Sequence, residues 1–315
     1  MKTIFSGIKP TGRPHLGNYF GMMREHLSLQ NEGLVYASIV DYHALNFIQN
    51  AEEMHTLTRE LIVDYLALGF DTEKHILFKQ SDVPEHTELA WIFDTITTVP
   101  YLKRAHAYKD AVAKGGEEDV SVGTFNYPML MAADILLYDT DIVPVGQDQK
   151  QHVEFARDTA EKFNRIYGET FKLPDVKIIE GVEVVPGTDG RKMSKSYGNT
   201  IPLFATDEEI VEKVMSIVTD SSGDRPENVY AIHKLFKLES ELASVYEENK
   251  GKYKNLKEIL IEDIKNFIAP LREKRGGIAK DDALIARVIE SGKEKARAKA
   301  SEKMQEVKRA IGVLS

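Results

Sequence analysis

Short apolar runs alternate with helix-like stretches in the first half of the chain. Residues 3–5 and 34–40 have the composition of buried strands, and residues 54–68 and 75–78 repeat the alternation as a helix and a strand. The helix-like positions between the first two runs are Leu16, Tyr19, Phe20, Met23 and Leu27. Strands that alternate with helices are typical of a parallel sheet covered by helices. The pattern predicts an α/β fold, a Rossmann-like doubly wound parallel sheet.

Three predicted strands are followed by segments rich in glycine and polar residues. Residues 142–145 form a further predicted strand, and a helix is expected from about Gln149. Open parallel sheets bind ligands at the carboxyl ends of their strands. Residues 7–17, 41–43 and 146–149 follow such strands. We therefore expect these three segments to meet in one crevice.

Beyond residue 200 the apolar positions repeat only at helical spacing. No strand-like run interrupts them, and no internal repeat is present. We therefore predict a sheet-containing domain over residues 1–200 and an all-helical domain over residues 201–315.

The charge of the chain is divided unevenly. The chain of 315 residues has a net charge of −9. Residues 251–315 hold 16 Lys and Arg against 10 Asp and Glu, so their net charge is +6 and that of residues 1–250 is −15. This asymmetry favours a basic module that contacts nucleic acid, and the alternative is a solvated helical surface. The sequence has no cysteine and no apolar run long enough to span a bilayer. These features exclude disulfides and thiolate metal sites and predict a cytoplasmic protein without a metal site of its own.

A glycine-rich turn follows the first predicted strand and opens the first predicted helix. It reads SGIKPTGRPHLGN over residues 6–18. The first amides of a helix are unpaired and its dipole favours anions, so phosphates bind there. Gly17 permits close approach of the backbone, and His15 and Asn18 carry hydrogen-bond donors at the helix entrance. The alternative is a plain turn in which Asn18 only caps the helix.

A second segment, RKMSKS over residues 191–196, combines three cations with two hydroxyl groups. Lys192 and Lys195 are suited to neutralise a triphosphate as pyrophosphate departs, which requires no covalent intermediate. We call residues 191–196 the lysine loop. On its own, a loop of this kind is more often part of the solvated surface. Together with the glycine-rich turn, it predicts that the chain binds ATP and transfers its nucleotide.

A single carboxylate, Asp134, lies within the apolar run MLMAADILL over residues 129–137. A buried carboxylate needs hydrogen-bond donors. The indole N–H only donates, so an otherwise unpaired Asp134 would select tryptophan over phenylalanine. The alternative is an aspartate paired inside the protein with a backbone amide or an arginine.

Residues 15–18 (HLGN) and 192–196 (KMSKS) resemble the two signatures of class I aminoacyl-tRNA synthetases. Residues 5–12, 131–138 and 143–152 are similar to the tryptophanyl-tRNA synthetases, and the likeness covers nearly the whole chain. It implies a ligase that activates tryptophan with ATP and Mg²⁺, giving tryptophanyl-adenylate and pyrophosphate, and then charges tRNA(Trp).

The resemblance also implies the site residues. Asp134 is expected to accept from the indole nitrogen, in a pocket that includes Phe5, His43, Tyr127, Met131, Val143, Val145 and Gln149. Residues expected around ATP are Lys9, Pro10, Thr11, Gly17, Asn18, Gly146, Gln147, Asp148, Val184, Lys192, Met193, Ser194, Lys195 and Ser196. Those implied in catalysis are Lys192, Lys195, His15 and Asn18.

The same likeness implies partners. It predicts a homodimer formed through helices around residues 91–107 and a helical domain that binds the anticodon end of tRNA. The cations that the last helix offers to RNA phosphates are Lys293, Lys295, Arg297, Lys299, Lys303, Lys308 and Arg309.

The sequence departs from the family pattern at two positions. His15 stands where many tryptophan enzymes have threonine, and Gln147 replaces the glutamate usual in their GEDQ segment. Neither change removes a nucleophile, although a neutral residue 147 makes the ribose pocket less negative. Rival interpretations are a tyrosyl enzyme of the same fold, a non-catalytic RNA-binding relative, and a free-standing adenylyltransferase. The last of these leaves the basic helical domain unexplained.

Overall fold

The fold is built on one parallel β-sheet. The computed structural model describes residues 1–179, 184–219 and 225–314, except for the side chain of Asp148. The strand order is β3-β2-β1-β4-β5, and every neighbouring pair is parallel. The strands are β1 (Lys2–Ile8), β2 (Gly33–Ile39), β3 (Ile76–Lys79), β4 (Ile142–Val145) and β5 (Asp175–Ile178). The predicted Rossmann-like doubly wound sheet is confirmed.

The chain reverses its direction of travel across the sheet between β1 and β4. It moves outward from β1 through β2 to β3, and then returns to the other side of β1 for β4 and β5. Such a switch point opens a crevice at the carboxyl ends of the strands. Four strands match the apolar runs in the sequence. The fifth, β5, was not predicted because Asp175 and Lys177 interrupt its apolar pattern.

Helices cover the sheet. Those before residue 200 are α1 (Leu16–Asn18), α2 (Arg24–Ser28), α3 (Asp41–Ala44), α4 (Ala51–Ala67), α5 (Glu85–Ile96), α6 (Val99–Leu102), α7 (His106–Gly115), α8 (Val122–Leu136) and α9 (Lys150–Tyr167). A π-helical turn, Tyr19–Met23, joins α1 to α2, so one helical run leaves the glycine-rich turn. The helices predicted to begin near residues 16, 54 and 149 are confirmed.

Helices also make up the second part of the chain. They are α10 (Asp207–Met215), α11 (Glu227–His233), α12 (Glu239–Glu248), α13 (Tyr253–Ile278) and α14 (Asp282–Ala310). Within the described ranges, no helix of the protein is long and apolar enough to cross a membrane.

The last helix packs against the sheet. Ala296, Ala300, Met304 and Val307 of α14 belong to the same buried cluster as Phe5 of β1. Gly292 lies so close to β3 that a Cβ placed on it would be 1.8 Å from the Leu77 carbonyl oxygen. The helix therefore covers β3, one of the two outer strands of the sheet. The boundary near residue 200 remains a prediction.

Ion pairs join the two parts of the chain at the glycine-rich turn and along α4. Arg13 donates to both carboxylate oxygens of Glu209, at 2.7 and 2.9 Å, and to the Phe204 carbonyl oxygen. On α4, the buried Asp64 accepts from Arg275 at 2.6 Å. A bidentate arginine–carboxylate pair fixes orientation as well as distance. The start of the crevice is thus tied to α10.

Candidate active site

The segments that follow β1, β2, β3 and β4 lie at one edge of the sheet because the strands are parallel neighbours. They are the glycine-rich turn, α3, a 3-10 turn at Gln80–Asp82 and another at Gln147–Gln149. This is the crevice predicted from the sequence. The Gln80–Asp82 turn was not among the predicted segments.

At the helix entrance, His15 and Asn18 form a reciprocal cap. His15 Nδ1 accepts from the Asn18 amide at 3.3 Å, and Asn18 Oδ1 accepts from the His15 amide at 3.1 Å. His15 is thus the N-cap residue of this helix, and the Asn18 side chain completes the cap. Since Nδ1 accepts, a neutral His15 carries its proton on Nε2, and the Asn18 side chain retains its NH₂ group. These two groups are donors that the cap does not use.

His15 is held neutral by its surroundings. Its side chain is buried, and burial together with the charge of Lys195 lowers its pKa from 6.5 to about 4. At neutral pH the ring is therefore a hydrogen-bonding group rather than a cation.

The lysine loop touches the glycine-rich turn. Lys195 Nζ donates to the Thr11 carbonyl oxygen at 2.9 Å. Gly12, the next residue, has a φ of +95°, a conformation that favours glycine. Partial burial lowers the pKa of Lys195. The two predicted ATP motifs, remote in sequence, therefore meet.

Asn199 fixes the shape of the lysine loop. Its Oδ1 accepts from the Ser194 amide at 2.8 Å, and its Nδ2 donates to the Lys192 carbonyl at 3.1 Å and to Asp189 at 2.7 Å. Asn199 is buried, which is unusual for an asparagine that has no such role. It is a positioning residue that the sequence analysis missed.

Met193 links the loop to the helix entrance. Its side chain is buried, and its sulfur accepts from the Gly17 amide at 3.2 Å. A Cβ on Gly17 would lie 2.8 Å from His15 Nδ1 and 3.1 Å from the Met193 Cβ. The close approach predicted at Gly17 is thus to protein atoms, and Met193 occupies one amide that a phosphate would use.

The other loop residues are more open. Lys192 and Ser196 are exposed, and Ser194 and Ser196 share a hydrogen bond of 2.9 Å. Val184 is 54% exposed and precedes Val185, whose carbonyl accepts from the Met193 amide. These positions are accessible to a nucleotide in the crevice.

Asp134 is buried at the foot of the crevice, where three side chains donate to it. Gln80 Nε2 lies 2.7 Å and His86 Nδ1 2.6 Å from Oδ1, and His43 Nε2 lies 2.9 Å from Oδ2. Burial acts to raise the pKa of Asp134, but the two histidines outweigh it and hold this pKa below its ordinary value. The carboxylate is therefore ionised at neutral pH.

The premise that Asp134 has no other partner is wrong. The protein supplies three donors, none of which is the backbone amide or arginine considered as the alternative. A carboxylate accepts about four hydrogen bonds, so capacity remains on Oδ2. Gln80 and His86 were missed because a buried glutamine and histidine have no sequence signature. The role of Asp134 toward the indole ring stays a prediction.

His43, Tyr127 and Lys9 line the space between Asp134 and the glycine-rich turn. The His43 and Tyr127 rings pack edge to face at 5.9 Å, and Lys9 Nζ lies 5.9 Å from the centre of the Tyr127 ring. Lys9 also lies 5.4 Å from the ring of Phe47, which is 74% exposed. The predicted amino-acid and ATP residues thus adjoin at Lys9.

The apolar residues predicted for the amino-acid pocket lie deep. Phe5, Val143 and Val145 are buried on β1 and β4, and Met131 is half-buried on α8. Phe5 stacks on Tyr138 with ring centres 5.7 Å apart. These side chains form the floor rather than the rim of the crevice.

The segment after β4 forms a tight turn at the open side. The Gln149 amide donates to the Gly146 carbonyl at 3.0 Å, and the side chains of Gln147 and Gln149 are exposed. The predicted ribose partner Asp148 has a side chain outside the described residues. Pro10 is buried and Thr11 exposed at the facing turn.

The cations of α14 are largely paired with acidic side chains of the protein. Lys303 is 4% exposed, and both Lys299 and Lys303 lie 2.7 Å from Asp139. Lys308 pairs with Glu88 at 2.7 Å, and Lys293 with Glu290 at 3.0 Å. Treating Lys303 as a solvent-facing cation was wrong, because its helix face packs on the sheet. Lys295, Arg297 and Arg309 are exposed.

Comparison with known proteins agrees with this geometry. A family model described as tRNA synthetases class I (W and Y) matches residues 1–276. The tryptophan–tRNA ligase of Fusobacterium nucleatum subsp. nucleatum is 44% identical over 323 residues, covering 100% of this chain and 99% of that protein. That of Rhodopirellula baltica is 41% identical and covers 98% and 99%.

Solved structures give the same result. The tryptophanyl-tRNA synthetase of Campylobacter jejuni, complexed with ADP and tryptophan, superimposes with a TM-score of 0.92 at 41% identity. The match covers 98% of this chain and 99% of that one. The tryptophanyl-tRNA synthetase of Mycoplasma pneumoniae has a TM-score of 0.82 at 27% identity, over 99% and 98% of the two chains.

Proposed function

Because this chain belongs to the class I tRNA synthetases of the W and Y family, we propose that it is a tryptophan–tRNA ligase. It activates L-tryptophan with ATP and transfers the amino acid to tRNA(Trp). The observation that carries the proposal is the hydrogen bond from Lys195 to Thr11, which joins the two nucleotide motifs beside the crevice that holds Asp134. Amino acid and triphosphate are thereby brought to adjoining places.

In the first step, a carboxylate oxygen of tryptophan attacks the α-phosphorus of ATP. The bond from this phosphorus to the bridging oxygen breaks, and pyrophosphate leaves with the electron pair. Lys192 and Lys195 stabilise the charge on the departing group, and the NH₂ of Asn18 and Nε2–H of His15 donate to phosphate oxygens. The protein contributes orientation and electrostatics, and no side chain acts as nucleophile.

In the second step, a hydroxyl of the terminal ribose of tRNA attacks the carbonyl carbon of the adenylate. The new ester bond forms as AMP leaves with the bond electrons of the mixed anhydride. The hydroxyl proton passes to the phosphate of AMP or to solvent. Since AMP is already a good leaving group, the chain needs only to hold the two reactants in contact.

The amino acid is recognised by the residues at the foot of the crevice. Oδ2 of Asp134 accepts from the indole N–H, beside His43. Phe5, Met131, Val143 and Val145 provide apolar contacts, while Tyr127 and Gln149 face the ammonium and carboxylate groups. A phenylalanine would leave the Oδ2 acceptor without this donor, which costs about 1–3 kcal/mol.

The nucleotide is bound along the rim. Lys9, Pro10, Thr11 and Gly17 contact it from the glycine-rich turn, and Met193, Ser194 and Ser196 from the lysine loop. Gly146, Gln147, Asp148 and Val184 contact the ribose and adenine. A phosphate bound at the Gly17 amide would take the place of the Met193 sulfur, which accepts from that amide at 3.2 Å.

Mg²⁺ accompanies ATP rather than occupying a protein cage. Among the described residues, no group of three His, Asp or Glu side chains is placed to hold a metal ion. Lysines, which repel cations, dominate the rim. Mg²⁺ commonly reaches such sites on phosphate oxygens and, when bound, neutralises part of their charge.

Residues 201–315 bind the anticodon end of tRNA, and residues 1–200 carry the chemistry. Lys295, Arg297 and Arg309 are the exposed cations of α14 that support the RNA contact. Reaction with tRNA during translation places the protein in the cytoplasm.

A homodimer forms through the segment 91–107. Trp91 of α5 is 70% exposed and Val99 of α6 is 56% exposed, and exposed apolar groups of this size favour a protein interface. Trp91→Glu is expected to shift the mass in sedimentation velocity from dimer to monomer, whereas Trp91→Phe keeps the dimer. A wild-type chain that sediments as a monomer at micromolar concentration would refute the assembly.

The decisive experiment is exchange of labelled pyrophosphate into ATP with tryptophan, tyrosine or no amino acid. Exchange that depends on tryptophan is expected. A preference for tyrosine would indicate the Y branch of the family and overturn the role of Asp134, and no exchange with either amino acid would indicate a non-catalytic relative.

A further inference from the structure

The three donors to Asp134 lie on two sides of its carboxylate. His43 contacts Oδ2 and packs against Tyr127, on the side of the crevice. Gln80 and His86 both contact Oδ1, and neither side chain has any exposed surface. Oδ1 is therefore bound from the core side, and Oδ2 is the oxygen that faces the crevice.

His86 is itself anchored in the core. Its Nε2 lies 2.8 Å from the hydroxyl of Tyr138, which is 1% exposed. Its ring stacks on Phe78, with ring centres 6.0 Å apart. Because an ionised carboxylate only accepts, Nδ1 carries a proton, and the Tyr138 hydroxyl is able to donate to Nε2. The direction of the hydrogen bond from His86 to Asp134 is thus defined.

We propose that His86 is a positioning residue for amino-acid selectivity, which it exerts by fixing Oδ1 of Asp134 so that Oδ2 is presented to the indole N–H. This inference rests on the proposed function. Without the Nδ1 donor, Gln80 alone holds Oδ1 and His43 alone holds Oδ2, so the carboxylate is held less tightly against rotation about its χ2 angle. An acceptor that turns away from the substrate loses the ability to distinguish a ring with N–H from one without it.

Two substitutions distinguish the contacts made by the two ring nitrogens of His86. The amide nitrogen of asparagine lies near the position of histidine Nδ1, and that of glutamine near Nε2. His86→Asn therefore keeps a donor to Asp134 and loses the Tyr138 contact. His86→Gln keeps a group beside Tyr138 and loses the donor to Asp134.

His233 supplies a matched control in the helical part of the chain. It is also fully buried and also lies between a tyrosine and an aspartate, with Nδ1 3.2 Å from the Tyr246 hydroxyl and Nε2 2.8 Å from Asp263. Because the aspartate here contacts Nε2, His233→Asn is the substitution that removes the donor to an aspartate away from the crevice. It reports what the loss of a buried histidine does to folding alone.

The measurement is pyrophosphate exchange with tryptophan and with β-(3-benzothienyl)alanine, whose ring has sulfur in place of the indole N–H. For His86→Gln, kcat/KM with tryptophan is expected to fall roughly 5- to 30-fold, while that with the sulfur analogue stays within about twofold of wild type. His86→Asn and His233→Asn are expected to keep the wild-type ratio of kcat/KM for the two substrates.

A loss of the same size with both substrates in His86→Gln would overturn the inference, because it indicates a general structural role. If this variant does not fold, Gln80→Met removes the other donor to Oδ1. It should likewise lower the ratio of kcat/KM with tryptophan to kcat/KM with the sulfur analogue. A Gln80→Met protein that folds and keeps the wild-type ratio of kcat/KM values would refute the inference that the donors to Oδ1 fix the carboxylate. A wild-type protein inactive with tryptophan would refute the proposed function itself, which is a different result.

Discussion

Lys195 Nζ donates a 2.9 Å hydrogen bond to the carbonyl oxygen of Thr11, although 184 residues separate them along the chain. The ammonium also lies 3.4 Å from the place that a Cβ on Gly12 would occupy. The lysine loop therefore lies directly against the glycine-rich turn.

Replacing Lys195 by alanine is expected to lower kcat for pyrophosphate exchange by about 10²- to 10³-fold, because one stabilising charge at the leaving group is lost. Lys254→Ala is the control, since that side chain is 81% exposed on α13. Steady-state exchange at saturating tryptophan and ATP measures the effect. An unchanged kcat with a raised KM for ATP would show instead that Lys195 contributes only to ground-state binding.

Gly17→Ala is expected to weaken ATP binding and to destabilise the fold by about 1–3 kcal/mol, because the added methyl group overlaps the His15 ring. Gly21→Ala, in the same helical run, meets no atom within 4 Å and should be neutral or stabilising by about 0.5–1 kcal/mol. Urea unfolding and the KM for ATP distinguish the two. Equal changes in unfolding free energy and in the KM for ATP for the two variants would mean that helical propensity, and not the close approach at Gly17, determines the outcome.

The Arg13–Glu209 pair predicts a pH dependence of stability. The hydrogen bond from Arg13, followed by that from the Thr206 amide, lowers the pKa of Glu209 from 4.5 to about 2. A carboxyl group with a lowered folded pKa contributes stability above its unfolded pKa and loses it as the pH falls through the folded value. That contribution is thus present above about pH 4.5 and lost toward pH 2.

Glu209→Gln is therefore expected to lower the midpoint of thermal unfolding at pH 7 and to converge with wild type as the pH approaches 2. Glu212→Gln on the same helix is the control, since its side chain is 73% exposed. A midpoint difference that stays constant between pH 7 and pH 2.5 would contradict this linkage.

Gly292→Ala is expected to destabilise the whole protein by at least about 1–3 kcal/mol, because its methyl group would overlap the Leu77 carbonyl and push α14 off β3. Gly276→Ala in α13 meets no atom within 4 Å and should cost nothing. Chemical denaturation followed by circular dichroism measures both. A Gly292→Ala protein as stable as Gly276→Ala would show that α14 adjusts freely on the sheet.

Four of the five strands could be predicted because burial on both faces makes them continuous apolar runs, as residues 142–145 illustrate. The meeting of two ATP motifs could be predicted from chemistry, since neither the glycine-rich turn nor the lysine loop suffices alone for a triphosphate. The hydrogen bond of Lys195 to Thr11 confirms that meeting.

The surroundings of Asp134 could not be predicted. Its donors Gln80 and His86 lie 54 and 48 residues away in sequence, and nothing local marks them as its partners. The packing of α14 on the sheet could not be predicted for a similar reason. Helical spacing identifies the apolar face of a helix but not the element that it covers, so Lys303 was expected in solvent although it is buried.

The packing of α14 on β3 has a consequence for synthesis on the ribosome. β3 is one of the two outer strands of the sheet, and the helix that covers it begins about 200 residues later in the chain. Until that helix emerges, the nascent protein carries a bare strand edge, which is a template for pairing with other chains. The interval between making β3 and making α14 is thus the period in which a chaperone would protect this molecule from aggregation.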